Sequence, residues 1–208
     1  YIEALCKEIL NKCQQYKIKS IFIGGGTPSY LEVHEIKKLL ETVNKLQLVD
    51  DMEFTMECNP GTVNEEKLIA MKDGGINRIS FGLQSCNNEL LKIIGRIHTY
   101  EEFVDNYKLA RKLGFNNINV DLMYGLPNLT VDLWKDTLAK ICNLKPEHIS
   151  AYSLIIEEGT AFYTLHMKDK LNLPSEEEER EMDKLTKDLL GSDGYNQYEI
   201  SNYSLEGR

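Results

Sequence analysis

The sequence predicts an α/β fold: a partial (β/α)6 barrel of the TIM type that lacks its first strand, followed by a C-terminal α/β extension. Three observations carry this expectation. Strand-like apolar runs alternate with amphipathic helical patterns over residues 1–156 and are joined by short connections. That alternation calls for a parallel sheet with right-handed crossovers. The chain also opens inside a helical pattern, Tyr1-Ile2-Glu3-Ala4-Leu5-Cys6, which needs a strand before it. Finally, Thr27, Glu57, Gln84, Asp121 and Ser153 fall at or near strand C-termini, the rim where a β/α barrel keeps its site. Residues 157–208 read as the start of the extension, and the whole as a fragment trimmed or disordered at both ends.

The first helix is expected over residues 1–17, with Ile2, Cys6, Ile9, Cys13 and Tyr16 at helical spacing. Cys6 and Cys13, two turns apart, have no further soft ligand in view and are read as core residues. The next stretch organises the chain. Ser20-Ile21-Phe22-Ile23 has buried-strand character and runs into Gly24-Gly25-Gly26-Thr27-Pro28-Ser29. Consecutive glycines allow positive φ and let a ligand approach the main chain with no Cβ in the way. The loop lacks the lysine of a phosphate-binding loop and only loosely imitates a dinucleotide fingerprint. An ordinary tight turn would look the same in sequence.

A helix is expected over 32–46, then a strand, Met52 to Cys58, before Asn59-Pro60. Alternation puts Phe54, Met56 and Cys58 on one face, and Glu53, Thr55 and Glu57 on the other. Glu57, near the strand's end, could hold a ribose hydroxyl or be an acidic rim residue. Thr62 and Glu65 read as a capping box for a helix that Gly74-Gly75 ends. In the strand Asn77–Gln84, Ser80, Gly82 and Gln84 share a face with little bulk, leaving room inside a barrel; Gln84 offers both donors and acceptors.

A short helix, Glu89 to Ile94, leads to Gly95-Arg96-Ile97-His98, and Thr99 with Glu102 reads as a second capping box. The strand Asn117–Met123 carries a polar row, Asn117, Asn119 and Asp121, unlike a purely structural parallel strand. A helix from about Thr130 to Cys142 and the strand His148–Ile155 follow. Ser175 and Glu178 cap a glutamate-rich helix whose acidic run reads as a solvated face favoured near a helix N-terminus, with Met182, Leu185 and Leu189 buried.

Composition narrows the function. With 208 residues, 42% hydrophobic and 27% charged, the chain has the make-up of a soluble globular protein with one sizeable core. Its net charge of −9 argues against a nucleic-acid partner. No apolar run reaches membrane-span length, and five scattered cysteines point to a reducing, cytoplasmic setting. No Ser-His-Asp or Cys-His grouping stands out, so the chemistry is expected to belong to a cofactor.

Five motifs in order, Gly24–Ser29, Glu57-Cys58-Asn59-Pro60, Ser80-Phe81-Gly82-Leu83-Gln84-Ser85, Gly95-Arg96-Ile97-His98 and Asp121–Pro127, resemble the radical S-adenosylmethionine (SAM) proteins related to oxygen-independent coproporphyrinogen III oxidase. The resemblance covers nearly the whole chain. It implies a radical SAM core in which a [4Fe-4S] cluster, on a Cys-x3-Cys-x2-Cys loop after the first barrel strand, cleaves S-adenosylmethionine reductively to a 5′-deoxyadenosyl radical. It also implies that Gly25, Gly26 and Thr27 contact S-adenosylmethionine and that Glu57 holds its ribose or amino group. Gln84, Arg96 and Asp121 would line the same pocket. No Cys-x3-Cys-x2-Cys occurs in this sequence. By resemblance that loop precedes Tyr1, and the fragment is expected to be inactive by itself.

The family has two branches: oxidases that decarboxylate two propionates of coproporphyrinogen III to give protoporphyrinogen IX, and oxidase-like heme chaperones that bind heme and deliver it to a recipient protein. Gly95–His98 and Gln197–Tyr203 resemble the chaperone branch. The expected cargo or substrate is a heme or porphyrin. His98 could be an axial heme ligand, or a capping or surface residue. A phosphate-binding barrel enzyme without iron is the competing enzyme reading.

Overall fold

The computed structural model describes residues 1–207. In chain order its elements are α1 (Ile2–Cys13), β1 (Lys17–Ile23), a 3₁₀ turn (Pro28–Tyr30), α2 (Val33–Val43), β2 (Gln47–Cys58), α3 (Glu65–Asp73) and β3 (Arg78–Gln84). There follow α4 (Asn88–Ile93), α5 (Tyr100–Lys112), β4 (Ile118–Tyr124), α6 (Val131–Leu144), β5 (His148–Ser153), α7 (Ala161–His166), α8 (Glu176–Ser192), β6 (Tyr195–Glu199) and β7 (Asn202–Leu205). The strands form one sheet in the order β1-β2-β3-β4-β5-β7-β6. β2 runs parallel to β1 and β3, whereas β7 is antiparallel to β5 and β6. The chain divides into two compact units, Tyr1–Gly82 with Glu101–Asn119, and Leu83–Tyr100 with Val120–Arg208.

In the first unit, α1 buries Ile2 and Cys6 against Leu39 of α2, with Leu5, Ile9, Ile23 and Leu31 packed alongside. The helix stops at Cys13, short of the expected residue 17, and Tyr16 lies outside its apolar face and is exposed. Cys6 is core as expected, and Cys13 is half-buried. β1 is an edge strand of the sheet. Its Phe22 is 58% exposed, against the buried-strand expectation.

β2 starts five residues earlier than the alternation indicates. Its pairing with β1 jumps from Ile18↔Leu48 to Ser20↔Glu53, so the strand's first part precedes a bulge that breaks the period of two. Past the bulge, Phe54, Met56 and Cys58 alternate as predicted, and all three are buried. Thr55 on the opposite face is buried too, because a strand inside a parallel sheet is covered on both sides.

The residue capping α3 is Asn64, whose Oδ1 accepts from the Lys67 N–H at 2.9 Å. The expected Thr62–Glu65 box therefore does not form, and the Thr62 hydroxyl donates to the Asn59 carbonyl instead, at 2.7 Å. The glycine stop is as expected: Ile76 N–H reaches Met71 O and Gly75 N–H reaches Lys72 O, with Gly75 at φ +97°, a Schellman closure. At the β3–β4 pair the expected space beside Ser80 is occupied, since Asn119 Nδ2 donates to Ser80 Oγ at 2.7 Å and both residues are buried.

In the second unit, Thr130 caps α6, and the Trp134 indole N–H on that helix donates to Thr186 Oγ1 (2.9 Å) and Met182 O (3.2 Å) of α8. A buried indole N–H needs such partners, so this pair fixes how the two helices meet. α8 begins with the Ser175–Glu178 capping box the sequence predicts. Its fully buried stripe is Met182, Thr186 and Leu190; Leu185 and Leu189, expected inside, are not among its buried residues.

β6 and β7 form a hairpin. Glu199 Oε2 accepts from Ser201 N–H (3.2 Å) and from Asn202 Nδ2 (2.7 Å), and Gln197 Nε2 donates to Ile200 O. The Ser201 N–H foremost and the Asn202 amide next hold the Glu199 carboxyl below the usual carboxylate range, and the reversal places β7 between β6 and β5. Among the described residues no helix is long and apolar enough to cross a membrane.

Candidate functional site

The glycine loop follows β1, and each of its glycines answers to a different constraint. A Cβ on Gly24 would lie 2.7 Å from Phe22 Cε1 and 3.0 Å from Glu57 Oε2. Gly24 is therefore what lets the Glu57 carboxylate close against the loop. Gly25 has φ +116°, in a region that side chains rarely adopt. Gly26 has no positive φ, and a Cβ placed on it would have no neighbour within 4 Å. Neither packing nor backbone conformation demands a glycine there. The loop borders an open recess of about 250 Å³ that Ile23, Gly24, Gly26, Thr27 and Leu31 line together with the start of α1.

Side chains from the β2–α3 turn pin this loop. Asn59 Nδ2 donates to Thr27 Oγ1 at 3.0 Å, and the Asn59 backbone N–H donates to Ser29 Oγ at 3.1 Å. Ser29 Oγ also pairs with Thr62 Oγ1 at 2.5 Å. The Lys67 ammonium completes the clamp by donating to the carbonyls of Ser29 (2.8 Å) and Thr62 (3.1 Å). Gly25, Gly26, Thr27 and Glu57 are thus gathered on one rim of the first unit. Beside Glu57, burial foremost and the Glu57 charge next push the Cys58 thiol up to about 12.

Gln84, Arg96 and Asp121 belong to the second unit. Gln84 ends β3 with φ +74° and is only 3% exposed; its Oε1 accepts from the Tyr152 hydroxyl at 2.9 Å. Arg96 lies just after α4, behind Gly95 at φ +73°. Asp121 is half-buried within β4. His98 is buried rather than on the surface, with Nε2 3.3 Å from the Leu83 carbonyl. A carbonyl only accepts, so that nitrogen carries a proton and is turned away from ligation.

The acidic helix also differs from its sequence reading. Glu176, Glu177, Glu178 and Glu181 are exposed, but Glu179 is half-buried and accepts from Ser153 Oγ at 2.9 Å. Gly125, at φ +73°, lies against both: a Cβ there would meet Ser153 Oγ at 3.0 Å. Tyr124 and Tyr203 sit in the same acidic surroundings. Burial, then Asp183 and Tyr124, push the Tyr203 phenol up to about 12, and burial with Asp183 and Glu179 raises that of Tyr124.

Sequence reasoning missed Asn59, Ser29, Lys67, Tyr152 and Glu179. Asn59 and Ser29 lay inside motifs already singled out, and an Asn before Pro is a recognisable turn signal. Nothing in sequence separates Glu179 from the glutamates around it, or Tyr152 from any other strand tyrosine.

Residues 2–141 match the family model of the Radical SAM superfamily. Over its whole length the chain is 41% identical to the heme chaperone HemW of Bacillus subtilis (strain 168), covering 56% of that protein, and 38% identical to HemW of Escherichia coli (strain K12), covering 55%. The mitochondrial radical S-adenosyl methionine domain-containing protein 1 of Danio rerio is 36% identical over 97% of this chain and 46% of its own length. The solved structure of the radical SAM enzyme coproporphyrinogen III oxidase HemN from Escherichia coli superposes with a TM-score of 0.88 at 26% identity. That match covers all of this chain and 49% of HemN, and its α/β architecture is the radical SAM core with extension that the sequence predicts. The chain spans about half the length of the relatives it matches. On the family match and the fold together, this chain belongs to the radical SAM superfamily.

Proposed function

We propose that this chain is the S-adenosylmethionine-binding part of a heme chaperone, a protein that binds heme and delivers it to a recipient protein. The observation that carries this reading is the 41% identity to HemW along the entire chain, against 26% to HemN. The high TM-score to HemN supports the second reading, an oxygen-independent coproporphyrinogen III oxidase acting on a porphyrinogen. A phosphate-binding barrel has less support: the superfamily match opposes it, and the Lys67 ammonium beside the loop is engaged by two carbonyls.

The residues fit S-adenosylmethionine. The open space over Gly26 admits a ligand to the main chain, the Asn59–Thr27 bond presents the loop in one conformation, and the Glu57 carboxylate can accept from a ribose hydroxyl or an ammonium. Gln84, Arg96 and Asp121 are proposed as further cofactor contacts. When bound with a reduced cluster, S-adenosylmethionine supplies radical chemistry that no side chain here provides. The cluster itself does not fit the residues of this chain: its five cysteines are dispersed, and among the described residues no three His, Cys, Asp or Glu side chains are grouped to hold a metal.

The test uses the full-length protein, reconstituted anaerobically with iron and sulfide and given reductant, S-adenosylmethionine and coproporphyrinogen III. Stoichiometric heme binding without porphyrin turnover is the expected result. Protoporphyrinogen IX formed together with 5′-deoxyadenosine would make the protein an oxidase. Failure to take up any cluster would overturn both.

A further inference from the structure

We propose that Tyr152 is a positioning residue that orients the Gln84 amide so that its two N–H donors face the cofactor. This rests on the reading of Gln84 as a cofactor contact. Gln84 closes β3 in a left-handed conformation, φ +74°, although it is neither glycine nor asparagine and is almost completely buried. Such a conformation persists only where surrounding structure holds it, and it concentrates at ligand sites. It also ends the strict alternation of the strand, so the Gln84 side chain leaves the direction the pleat would give it.

A buried amide must satisfy both its ends. The Oε1 end accepts from the Tyr152 hydroxyl at 2.9 Å. The Nε2 end makes no hydrogen bond among the described residues. Yet no side-chain nitrogen or oxygen that is fully out of reach of solvent lacks a partner among them. Nε2 therefore sits at an accessible edge of an otherwise buried side chain, with its donors unengaged. The ligand it fits is a hydrogen-bond acceptor, the class to which the carboxylate, ribose oxygens and adenine nitrogens of S-adenosylmethionine belong. Oxygen and nitrogen of an amide are nearly isosteric, and a half-turn exchanges them. In the structure the Tyr152 hydroxyl donates to Oε1, and that arrangement leaves both Nε2 donors for the ligand. Tyr152 lies on β5, and its ring packing is preserved when only the hydroxyl is removed.

Tyr152→Phe in the full-length protein is the test, with S-adenosylmethionine binding followed by calorimetry and stability by thermal melting. The dissociation constant should rise about tenfold, the loss expected when one hydrogen bond no longer orders a binding group, while the melting temperature falls by only a few degrees and the protein stays folded. Gln84→Glu, which keeps the shape and loses the donors, should weaken binding at least as much. Adding Tyr152→Phe to Gln84→Ala should cost no further S-adenosylmethionine affinity, because the proposed effect on the cofactor runs through the amide. Wild-type affinity in Tyr152→Phe, or additive losses in the double variant, would overturn the proposal. If the wild-type protein itself does not bind S-adenosylmethionine, the site reading fails first and this inference with it, a result visible before any variant is made.

Discussion

Asn59 Nδ2 donates to Thr27 Oγ1 at 3.0 Å across 32 residues of sequence. With the Asn59 N–H to Ser29 Oγ bond, one residue of the β2–α3 turn sets both ends of the Thr-Pro-Ser segment after the glycines. Two motifs that are separate in sequence are therefore one mechanical unit.

Asn59→Ala should loosen that unit. The expected cost is about 1 kcal/mol of stability per lost hydrogen bond, with about a tenfold loss in S-adenosylmethionine affinity as the loop samples other conformations. A double-mutant cycle with Thr27→Val, read by urea unfolding, should show coupling of about 0.5–1.5 kcal/mol. Additive losses would mean the two side chains do not act together.

The glycines separate structure from ligand binding. Gly24→Ala brings a methyl against the side-chain ends of Phe22 and Glu57; both can shift, so the protein should lose about 0.5–1 kcal/mol while the Glu57 carboxylate moves away from the loop. Gly26→Ala meets nothing and should leave stability within about 0.5 kcal/mol, while S-adenosylmethionine binding falls at least about tenfold. Unchanged binding in Gly26→Ala would show that the open space is not a ligand's.

Alkaline pH should weaken the fold through Tyr203. Its phenol is raised to about 12, above the unfolded value of about 10, so the folded state holds the proton more tightly. That contribution is fully present below about pH 10 and is lost as pH rises towards 12. Buried Cys58 and half-buried Tyr124 are shifted in the same direction, so the informative comparison is Tyr203→Phe. Its urea midpoint should fall less steeply between pH 10 and 12 than that of the wild type. Equal slopes would remove Tyr203 from the explanation.

Thiol labelling should follow burial. Cys58 and Cys142 are raised to about 12, and Cys86 is raised as well, each mainly by burial. With so little thiolate at pH 8, they should resist iodoacetamide in the folded protein, while half-buried Cys13 is labelled first. Mass spectrometry of the labelled peptides reads the order. Early labelling of Cys58 would mean that β2 opens readily beside Glu57.

Much of this protein is determined locally, and the sequence shows that much. Helix α8 carries its own start in Ser175 and Glu178, α3 its own stop in Gly74-Gly75, and the alternation of Phe54, Met56 and Cys58 declares the buried face of β2. These signals lie within a few residues of the element they control. Glycines before Thr27 likewise announce a loop that needs main-chain freedom. What the sequence could not decide was which polar groups meet over long separations. Asn59 reaches Thr27, Asn119 fills the space beside Ser80, Tyr152 turns Gln84, and Ser153 draws one glutamate out of an acidic run. The bulge that interrupts β2 is decided by strand pairing in the same way. Periodicity reports the environment of a residue's own element, whereas hydrogen bonds between distant side chains exist only once the sheet has brought the strands together.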